Sequence, residues 1–416
     1  MEDGLKRSQA PFQEGARLLS DELEELRLQG LFRELKTFSG VCGTHAEWKG
    51  REIILFYGND YLGLSRHPKV IKAGQEAFQK YGAGSGAARL ISGTSDLHTR
   101  LEEELALFKK KERALIFGSG YLANLGTLSA LAGEKDVVIM DKLCHASLID
   151  GARLSGATLR VFPHKNYSKC EEILSKNASG SYRRRILVSD TVFSMDGDIA
   201  DLEALTYLKE KYDALLVVDD AHGIGVFGEK GTGLTEGKLN EKIDAVVGTL
   251  SKALGVFGGF AAGSSVLIDQ LINFSRPFIF ATAPPPALQA AAMKALTILQ
   301  EDDALRQKLW RNCRLVYDFL SKRGQVSDSK ESSGLSPFKG TVPGDCPLSP
   351  IFPILIGPEK EALKISEALL QQGLLIPAIR YPSVPRGRAR LRLTVSAAHT
   401  KEDLEKLFEA FSNVFP

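Results

Sequence analysis

An acid, an imidazole and an amine follow two short apolar segments in the middle of the chain. The first segment, Leu215–Val218, leads into Asp219 and His222, and the second, Asp244–Thr249, leads to Lys252. Both segments are too short to cross a membrane, and they are rich enough in branched residues to predict buried strands. Ligand-binding side chains in an open α/β sheet lie at the carboxyl ends of its strands. The spacing therefore predicts that the three side chains meet at one edge of a sheet.

Lys252 is the candidate nucleophile of this group. A lysine amine attacks at neutral pH only if its pKa is lowered, which burial near cationic groups achieves, and its product with an aldehyde is a Schiff base. The acid at the end of the first strand, Asp219, is the kind of partner that a pyridinium nitrogen requires. Together these residues indicate chemistry on an aldehyde that also contains a pyridine ring.

The composition is that of an ordinary globular protein without a strong charge. The 416 residues are 44% hydrophobic and 25% charged, and the formal net charge is only +2. No long run of one sign argues for nucleic acid as a partner. The segment Met1–Gly15 lacks an apolar signal core, and no window reaches the ~20 apolar residues that a membrane span requires. We therefore expect a cytoplasmic protein with no nucleic-acid or membrane partner.

The cysteines show no pattern that indicates a special role. They are scattered along the chain at Cys42, Cys144, Cys170, Cys313 and Cys346. No C-x-x-C pair and no His-rich ligand spacing accompanies them. The sequence predicts reduced thiols and no metal site.

Strand-like and helix-like segments alternate through most of the chain. The strand candidates before Asp219 are Ala114–Phe117, Asp136–Met140, Thr158–Phe162 and Arg185–Ser189. Such alternation predicts an α/β fold, in which a mainly parallel sheet is covered by helices on both faces.

The two ends of the chain have different patterns. Ser20–Lys36 has apolar positions at helical spacing, and Ile53–Tyr57 is a predicted strand. Near the other end, residues 324–350 are rich in Ser, Gly and Pro and are expected to form an exposed connection. The strands Ile351–Ile356 and Leu391–Thr394, with a closing amphipathic helix, indicate a small α+β domain. We predict a helical arm with the first strand over residues 1–57, a large domain over 58–299 and a small C-terminal domain over 300–416.

One turn has the pattern of an anion site. The strand Ala114–Phe117 leads into the small-residue turn Gly118–Gly120, and a helix starts near Tyr121. Free backbone N–H groups and the positive end of the helix dipole would face an anion there. A plain βα turn explains the same residues equally well. The other glycine-rich stretch, Tyr81–Ala87, is a poor phosphate loop because no clear strand-to-helix transition follows it.

The densest basic run is Arg380–Arg392. By itself it indicates either a solvated loop or a patch for an acidic partner. In the strand at its end, Arg390 and Arg392 share one face because side chains alternate along a strand. Arginine is suited to a bidentate grip on a carboxylate.

Several blocks occur together in the order and approximate spacing of one known family. They are Asn59–Leu64, Gly118–Tyr121, Asp141–Ser147, Phe193–Gly197, Asp219–His222, Thr249–Lys252 and Arg390–Thr394. The chain thereby resembles the α-oxoamine synthases, which are pyridoxal-phosphate enzymes of fold type I. The resemblance covers nearly the whole chain. It implies an aspartate-aminotransferase-like large domain, a small α+β domain and pyridoxal 5'-phosphate as the cofactor.

The resemblance assigns roles to residues around the cofactor ring. Lys252 would bind the aldehyde and act as the base at the substrate's Cα, and Asp219 would keep the ring nitrogen protonated. His145 would stack on the ring. His222 and Ser194 would hydrogen-bond the phenolic oxygen.

Further implied contacts concern the phosphate and the substrate. Gly120 and Tyr121 would bind the phosphate, and Thr249 belongs to the cofactor-binding block before the lysine. Thr282 would reach the phosphate of the other subunit in a homodimer. The substrate contacts implied are Asn59 and, for the α-carboxylate, Arg392; Arg390 is expected to be structural.

These positions have simpler explanations when the resemblance is set aside. Asn59 and Ser194 then belong only to turns, and Thr282 fills a loop. A lone histidine near a strand end, such as His145, is more often a satisfied structural residue than a catalytic one.

The substrates are the least certain part of the resemblance. The chain is most similar to the branch that condenses L-alanine with a pimeloyl thioester of coenzyme A or a carrier protein. Tyr381 and Ser383 differ from the Pro and Thr common in that branch. Two alternatives stay open: a sister enzyme of the glycine C-acetyltransferase, 5-aminolevulinate synthase or serine palmitoyltransferase type, and a non-catalytic protein on this fold. The intact Lys252 and Asp219 argue against the second.

Overall fold

A computed structural model describes residues 10–176, 182–323 and 349–415. Cys346 and most of the predicted connection over residues 324–350 lie outside the described residues. Among the described cysteines, Cys144 and Cys170 are buried and Cys42 is exposed, and these three form no disulfide.

Helices and strands alternate along the described chain. The helices are α1 (Ala10–Leu28), α2 (Pro68–Tyr81), α3 (Asp96–Lys109), α4 (Gly120–Leu131), α5 (Ala146–Leu154), α6 (Tyr167–Lys176), α7 (Leu202–Lys211), α8 (Lys238–Lys242), α9 (Ser265–Phe274), α10 (Arg276–Ile279), α11 (Pro286–Glu301), α12 (Ala304–Ser321), α13 (Glu359–Gln371) and α14 (Lys401–Val414). The strands are β1 (Ser39–Cys42), β2 (His45–Trp48), β3 (Arg51–Leu55), β4 (Arg113–Phe117), β5 (Val137–Asp141), β6 (Thr158–Phe162), β7 (Arg185–Asp190), β8 (Leu215–Asp219), β9 (Ala245–Thr249), β10 (Gly259–Gly263), β11 (Ile351–Gly357), β12 (Leu374–Leu375), β13 (Ala378–Ile379) and β14 (Ala389–Thr394).

The central sheet has seven strands in the order β4, β10, β9, β8, β7, β5 and β6. Strand β10 is antiparallel to both of its neighbours, and the pairs from β9 to β6 are parallel. The alternation of strands and helices predicted this mainly parallel sheet, and the prediction is confirmed. Parallel strands bring their carboxyl ends to one edge, so the residues that follow β5, β7, β8 and β9 are neighbours.

The apolar residues of the sheet strands divide between two cores. In β8, Leu216 and Val218 belong to the larger apolar cluster, and Val217 belongs to a second cluster on the other face. Side chains of a strand alternate between faces, so a strand that is apolar throughout is buried on both. Leu216, Val217 and Val218 are each 0% exposed, which explains why the strand before Asp219 contains no polar residue.

Two smaller sheets join the ends of the chain. Strands β11, β14 and β13 form a three-stranded sheet, and β1, β2, β3 and β12 form a four-stranded one. In the latter, β3 is parallel to β12, with Ile54 opposite Leu374. The first strands therefore pack with the C-terminal part of the chain. The division into three segments at residues 57 and 299 stays a prediction.

Two local predictions were wrong. The N-terminal helix was expected over Ser20–Lys36, but α1 ends at Leu28 because Gly30 adopts a left-handed conformation with φ of 68°, and Arg380 binds the carbonyls of Gly30 and Phe32. The strand expected over Ile53–Tyr57 is β3 (Arg51–Leu55), which begins two residues before the expected position. Among the described helices, none is long and apolar enough to span a membrane.

Candidate active site

Asp219 lies at the carboxyl end of β8 and is held by two donors. The backbone N–H of Ala221 donates to its Oδ1 at 2.8 Å, and Asn124 Nδ2 donates to its Oδ2 at 2.5 Å. Asn124 projects from α4 and also donates to Ser147 Oγ at 2.9 Å. Asp219 is only 6% exposed, so these bonds fix the direction of a buried carboxylate.

A second buried carboxyl group stands beside it. Asp190 ends β7 and is paired in register with Asp219 across the two parallel strands. Its Oδ2 accepts a hydrogen bond of 2.9 Å from the backbone N–H of His145. Burial and the nearby charge of Asp219 raise the pKa of Asp190 well above its ordinary value. A neutral Asp190 leaves the negative charge of this pair on Asp219.

Lys252 follows β9, and it is close enough to Asp219 for the carboxylate charge to influence its pKa. Burial lowers the pKa of Lys252 to about 8, although the Asp219 carboxylate acts in the opposite direction. Near pH 7 a lysine with this pKa is neutral in about one molecule in ten, far more often than an exposed lysine. Within the described ranges no side chain hydrogen-bonds or ion-pairs with its amine. The amine is therefore available as a nucleophile or a base.

His145 caps the N-terminus of α5 with a fixed ring orientation. Its Nδ1 accepts a hydrogen bond of 3.3 Å from the backbone N–H of Ser147, and the Ser147 hydroxyl lies 2.7 Å away. Burial lowers the pKa of His145 in spite of the nearby Asp219 charge, and the charge of Lys252 acts in the same direction as burial. The structure thus brings a neutral His145 ring together with the other two residues. Its stacking on a cofactor ring stays a prediction.

The turn before α4 lies directly against the ends of β9 and β10. A Cβ atom on Gly120 would lie 3.1 Å from Thr249 Cβ, and one on Gly259 would lie 2.5 Å from the Gly120 nitrogen. The Ser119 side chain caps the helix by accepting from Leu122 N–H. Only glycine lets backbone amides come this close to the strand ends. The N-terminus of α4 therefore reaches the same edge as Asp219 and Lys252, as an anion site requires.

Arg392 connects β14 to the loop that contains Ser194. Its Nε donates to the Ser194 carbonyl at 2.6 Å and its Nη2 donates to Asn59 Oδ1 at 3.2 Å. Arg392 is 5% exposed and makes no ion pair among the described residues. By contrast, Arg390 on the same face pairs with Asp196 at 2.5 Å, in agreement with its predicted structural role. A buried arginine with only neutral partners is suited to receive a carboxylate.

A half-buried histidine, His164, holds the other end of the Ser194 loop. His164 Nδ1 lies 2.9 Å from Asp141 Oδ1, and its Nε2 lies 2.9 Å from Asp198 Oδ2. Burial opposes a charge on this ring, but the two carboxylates outweigh it and raise the pKa of His164 to about 9. A protonated imidazole thus ties β5 to the loop near neutral pH, so Ser194 is positioned from both ends.

Three predicted site residues lie farther from this cluster or face solvent. Tyr121 is 43% exposed, and its hydroxyl donates to Asp150. Thr282 is exposed and forms an isolated bridge with Ala88. The Ser194 side chain is half-buried, and its carbonyl makes the bond to Arg392. Their contacts with a cofactor stay predictions.

Two arginines of the basic run bind the N-terminal segment. Arg380 donates to the carbonyls of Gly30 and Phe32, and Arg386 Nη1 donates to Gln29 Oε1 at 3.0 Å. These contacts explain why Arg380 and Arg386 lie in a dense basic stretch without forming an open basic patch.

Three features of this site fit pyridoxal phosphate. A buried carboxylate, Asp219, is aimed by Asn124 and can face a protonated ring nitrogen. The Lys252 amine has a lowered pKa and can bind an aldehyde. The glycine turn at the N-terminus of α4 can receive a phosphate.

Comparison with known proteins agrees with this geometry. The chain matches the aminotransferase class I and II family over residues 51–411, and it belongs to that family. The resemblance to α-oxoamine synthases and the aspartate-aminotransferase-like fold are thereby confirmed.

Close relatives and a solved structure narrow the class. The chain is 42% identical to the 8-amino-7-oxononanoate synthase of Thermoanaerobacter pseudethanolicus, over 95% of this chain and 96% of that protein. It is 43% identical to the 8-amino-7-oxononanoate synthase of Geobacter sulfurreducens, over 96% of this chain and 98% of that protein. A structure of SPT solved with PLP has a TM-score of 0.83 and 30% identity, and the match covers 99% of this chain and 98% of that one.

Sequence reasoning missed three buried polar residues of the site. Tyr61 and Asn124 lie within segments that were read as a turn and as a helix start, and Asp190 ends a predicted strand. A polar residue at a strand end, as in Asp190, is a signal that could have been used. For Asn124, the only signal is one amide among apolar residues of a buried helix.

Proposed function

We propose that the protein condenses L-alanine with a pimeloyl thioester of coenzyme A or acyl carrier protein, forming 8-amino-7-oxononanoate, carbon dioxide and a free thiol. This is a reaction of biotin biosynthesis, and we place it in the cytoplasm. The observation that supports the reaction class most strongly is one buried cluster that contains the Lys252 amine, the Asp219 carboxylate and the Arg392 guanidinium. The names of the relatives support 8-amino-7-oxononanoate as the product.

Each residue of the cluster has a place in this chemistry. Bound pyridoxal 5'-phosphate supplies a sink for the electron pair that is left at the substrate's Cα. Lys252, Asp219 and the turn at Gly120 would hold its aldehyde, ring nitrogen and phosphate. Arg392 would bind the α-carboxylate of alanine, with Asn59 beside it. His222 and Ser194 would hydrogen-bond the phenolic oxygen, as the family resemblance implies.

The Lys252 amine is the base of the proposed reaction. It takes the Cα proton, because its pKa of about 8 leaves part of it neutral near pH 7. A carbon–carbon bond then joins Cα to the thioester carbonyl, and the carbon–sulfur bond breaks with its electron pair on sulfur, which takes a proton. The α-carboxylate leaves as carbon dioxide, and Cα regains a proton.

A substrate matrix tests this assignment. We expect pimeloyl thioester with alanine to give a higher kcat/KM than acetyl-, succinyl- or palmitoyl-coenzyme A with glycine or serine. Arg392 binds a carboxylate that all these amino acids share, so it cannot discriminate among them. One methyl group is worth only ~1–3 kcal/mol in an apolar pocket, so some use of glycine is expected, whereas a polar partner for the distal acid discriminates more strongly.

Release of free thiol measures each pair, and a Lys252→Ala blank removes the uncatalysed hydrolysis. A clear preference for acetyl-coenzyme A with glycine would contradict the proposal and move the protein to the acetyltransferase branch.

We also propose that the active protein is a homodimer with shared sites. Large apolar side chains are exposed near Thr282: Phe280 is 69% exposed, Leu90 51% and Ile91 80%. The isolated bridge between Thr282 and Ala88 connects the two segments that contain them. Such a surface is suited to a second copy of the chain, because a monomer rarely exposes a contiguous apolar patch of this kind.

Mixing two inactive variants tests the shared site. Thr282→Asp places a negative charge where the resemblance puts a phosphate, and Lys252→Ala removes the amine. If Thr282 completes the other subunit's site, exchange of subunits gives hybrids with one intact site, and about a quarter of wild-type activity is expected at statistical mixing.

The control mixture pairs Lys252→Ala with Arg392→Ala. These two residues belong to one cluster within a subunit, so a hybrid has no intact site and activity should stay absent. Full activity in a strictly monomeric protein would contradict the dimer, and equal recovery in both mixtures would contradict the assignment of Thr282.

A further inference from the structure

Tyr61 is a fully buried tyrosine between two predicted binding residues. Its side chain is 0% exposed, and its hydroxyl oxygen lies 2.7 Å from His222 Nδ1. Arg392 Nη2 donates to Asn59 Oδ1 at 3.2 Å, and the guanidinium is close enough for its charge to act on the same hydroxyl. The contact between Tyr61 and Asn59 Oδ1 is much longer, at 3.4 Å. Tyr61 therefore joins the predicted carboxylate-binding arginine to the histidine predicted at the cofactor's phenolic oxygen.

The direction of each hydrogen bond follows from the groups themselves. Arginine has only donors, so Asn59 Oδ1 accepts from Arg392, and the guanidinium acts on the Tyr61 hydroxyl through its charge. Burial raises the pKa of Tyr61 to about 12, so its hydroxyl keeps its proton and can donate it. The acceptor at the shorter distance is His222 Nδ1. Burial lowers the pKa of His222 well below its ordinary value, so the ring is neutral, and its single proton is then on Nε2.

The backbone holds Tyr61 in this position from both sides. Ala397 N–H donates to the Tyr61 carbonyl at 2.7 Å, and Tyr61 N–H donates to the Asn59 carbonyl at 2.8 Å. A Cβ atom on Gly63 would lie 3.0 Å from Ala398 Cβ, so the turn after Tyr61 packs tightly on the segment that follows β14. Tyr61 is thus fixed to the segment that follows the strand of Arg392.

We propose that Tyr61 is a positioning residue that transmits the binding of a carboxylate at Arg392 to the His222 Nε2–H group facing the cofactor. A carboxylate that pairs with Arg392 offsets the positive charge that acts on the Tyr61 hydroxyl. The Tyr61 hydroxyl then becomes a weaker donor to His222, and His222 changes the strength of its own donation. Substrate binding therefore alters the electronic state of the cofactor before the Cα proton is removed.

The probe is propionate, which is alanine without its amine and cannot react. In the holoenzyme we expect saturating propionate to change the visible absorption of the bound pyridoxal phosphate. Tyr61→Phe should keep competitive inhibition by propionate against alanine but lose at least half of that spectral change. The same variant should lower kcat/KM for alanine by about 10-fold to 100-fold, since one buried hydrogen-bond relay is removed.

Tyr167→Phe is the matched control. The Tyr167 hydroxyl accepts a 2.7 Å bond from Asp201 N–H outside the site, so its loss should leave both the spectral change and kcat/KM within about twofold. A full wild-type spectral change in Tyr61→Phe would overturn the proposal. If that variant does not fold, the measurement on the wild-type protein tests the proposal. Propionate that competes with alanine but causes no spectral change would also overturn it.

The proposal rests on the proposed function only for the cofactor and for carboxylate binding at Arg392. A protein that prefers glycine and an acetyl thioester would fail the substrate test and could still show the spectral relay. A protein that prefers pimeloyl thioester with alanine but shows no spectral change with propionate would contradict the proposed role of Tyr61 and leave the proposed function intact.

Discussion

Replacement of Lys252 by alanine is expected to remove covalent attachment of pyridoxal phosphate and to lower kcat by at least about 1,000-fold. The variant loses both the amine that binds the aldehyde and the base that takes the Cα proton, and a positioned base alone contributes about 10²–10⁴-fold. The loss should not be structural, because within the described chain the amine makes no hydrogen bond or ion pair. Removing a buried charge that has no close partner does not leave a second charge uncompensated.

Borohydride reduction of the holoenzyme measures the attachment directly. In the wild type, the mass of the cofactor should appear on the peptide that contains Lys252, and in the variant it should be absent from every peptide. The Gly120 turn and Asp219 remain, so the variant should still bind the cofactor reversibly.

Lys142→Ala is a matched control for the loss of one lysine near a strand end. Lys142 directly follows β5 and is exposed, so its variant should label and turn over like the wild type. A label that persists in Lys252→Ala, together with wild-type turnover, would contradict the assignment.

The residues that could be predicted from sequence are those with local signals. Asp219 and Lys252 directly follow apolar strands, and position at a strand end is a property of a short window. The α/β sheet was predictable for the same reason, because its strands are apolar on both faces.

The residues that could not be predicted have their partners far away in the chain. Tyr61 is 161 positions from His222, and Asn124 is 95 positions from Asp219. The residues next to them in the sequence predict only a turn and a helix. Their roles depend on how the segments pack, which no window of the sequence encodes. The predicted end of the N-terminal helix was wrong for a related reason, because Arg380, which is distant in the sequence, binds the chain at Gly30.

Changing Asp219 or the adjacent Asp220 to asparagine is expected to have different effects. The first change should lower activity, and the second should lower stability. Asp219→Asn should lower kcat by about 10²–10³-fold with little change in stability, because a preorganised charge opposite the ring nitrogen is worth about that much. The shape stays, the Ala221 N–H can still donate to an amide oxygen, and Asn124 can turn its amide so that its unpartnered Oδ1 accepts from the new NH2 group. The other buried carboxyl group of the site, Asp190, has a pKa that is raised chiefly by burial, so it does not replace the lost charge.

Asp220→Asn should instead destabilise the fold by about 3–5 kcal/mol, because it leaves a buried cation without its counter-charge. Asp220 is 0% exposed and its Oδ2 pairs with Lys109 Nζ at 3.0 Å, with the Lys109 side chain equally buried. Thr191 Oγ1 donates to its Oδ1 at 2.7 Å. The Asp220 carboxylate is thus a structural anchor, in contrast to the adjacent Asp219, which is proposed to face the ring.

Urea unfolding of the two variants and steady-state kinetics of the folded fraction separate these effects. Asp219→Asn should unfold close to the wild-type midpoint and lose activity, and Asp220→Asn should shift the midpoint downward while its folded fraction keeps most of its turnover. The visible spectrum gives a third reading, because only Asp219→Asn should change the absorption of the bound cofactor. Wild-type kcat in Asp219→Asn would show that this carboxylate does not face the ring nitrogen, and Asp190 would then be the acid to test.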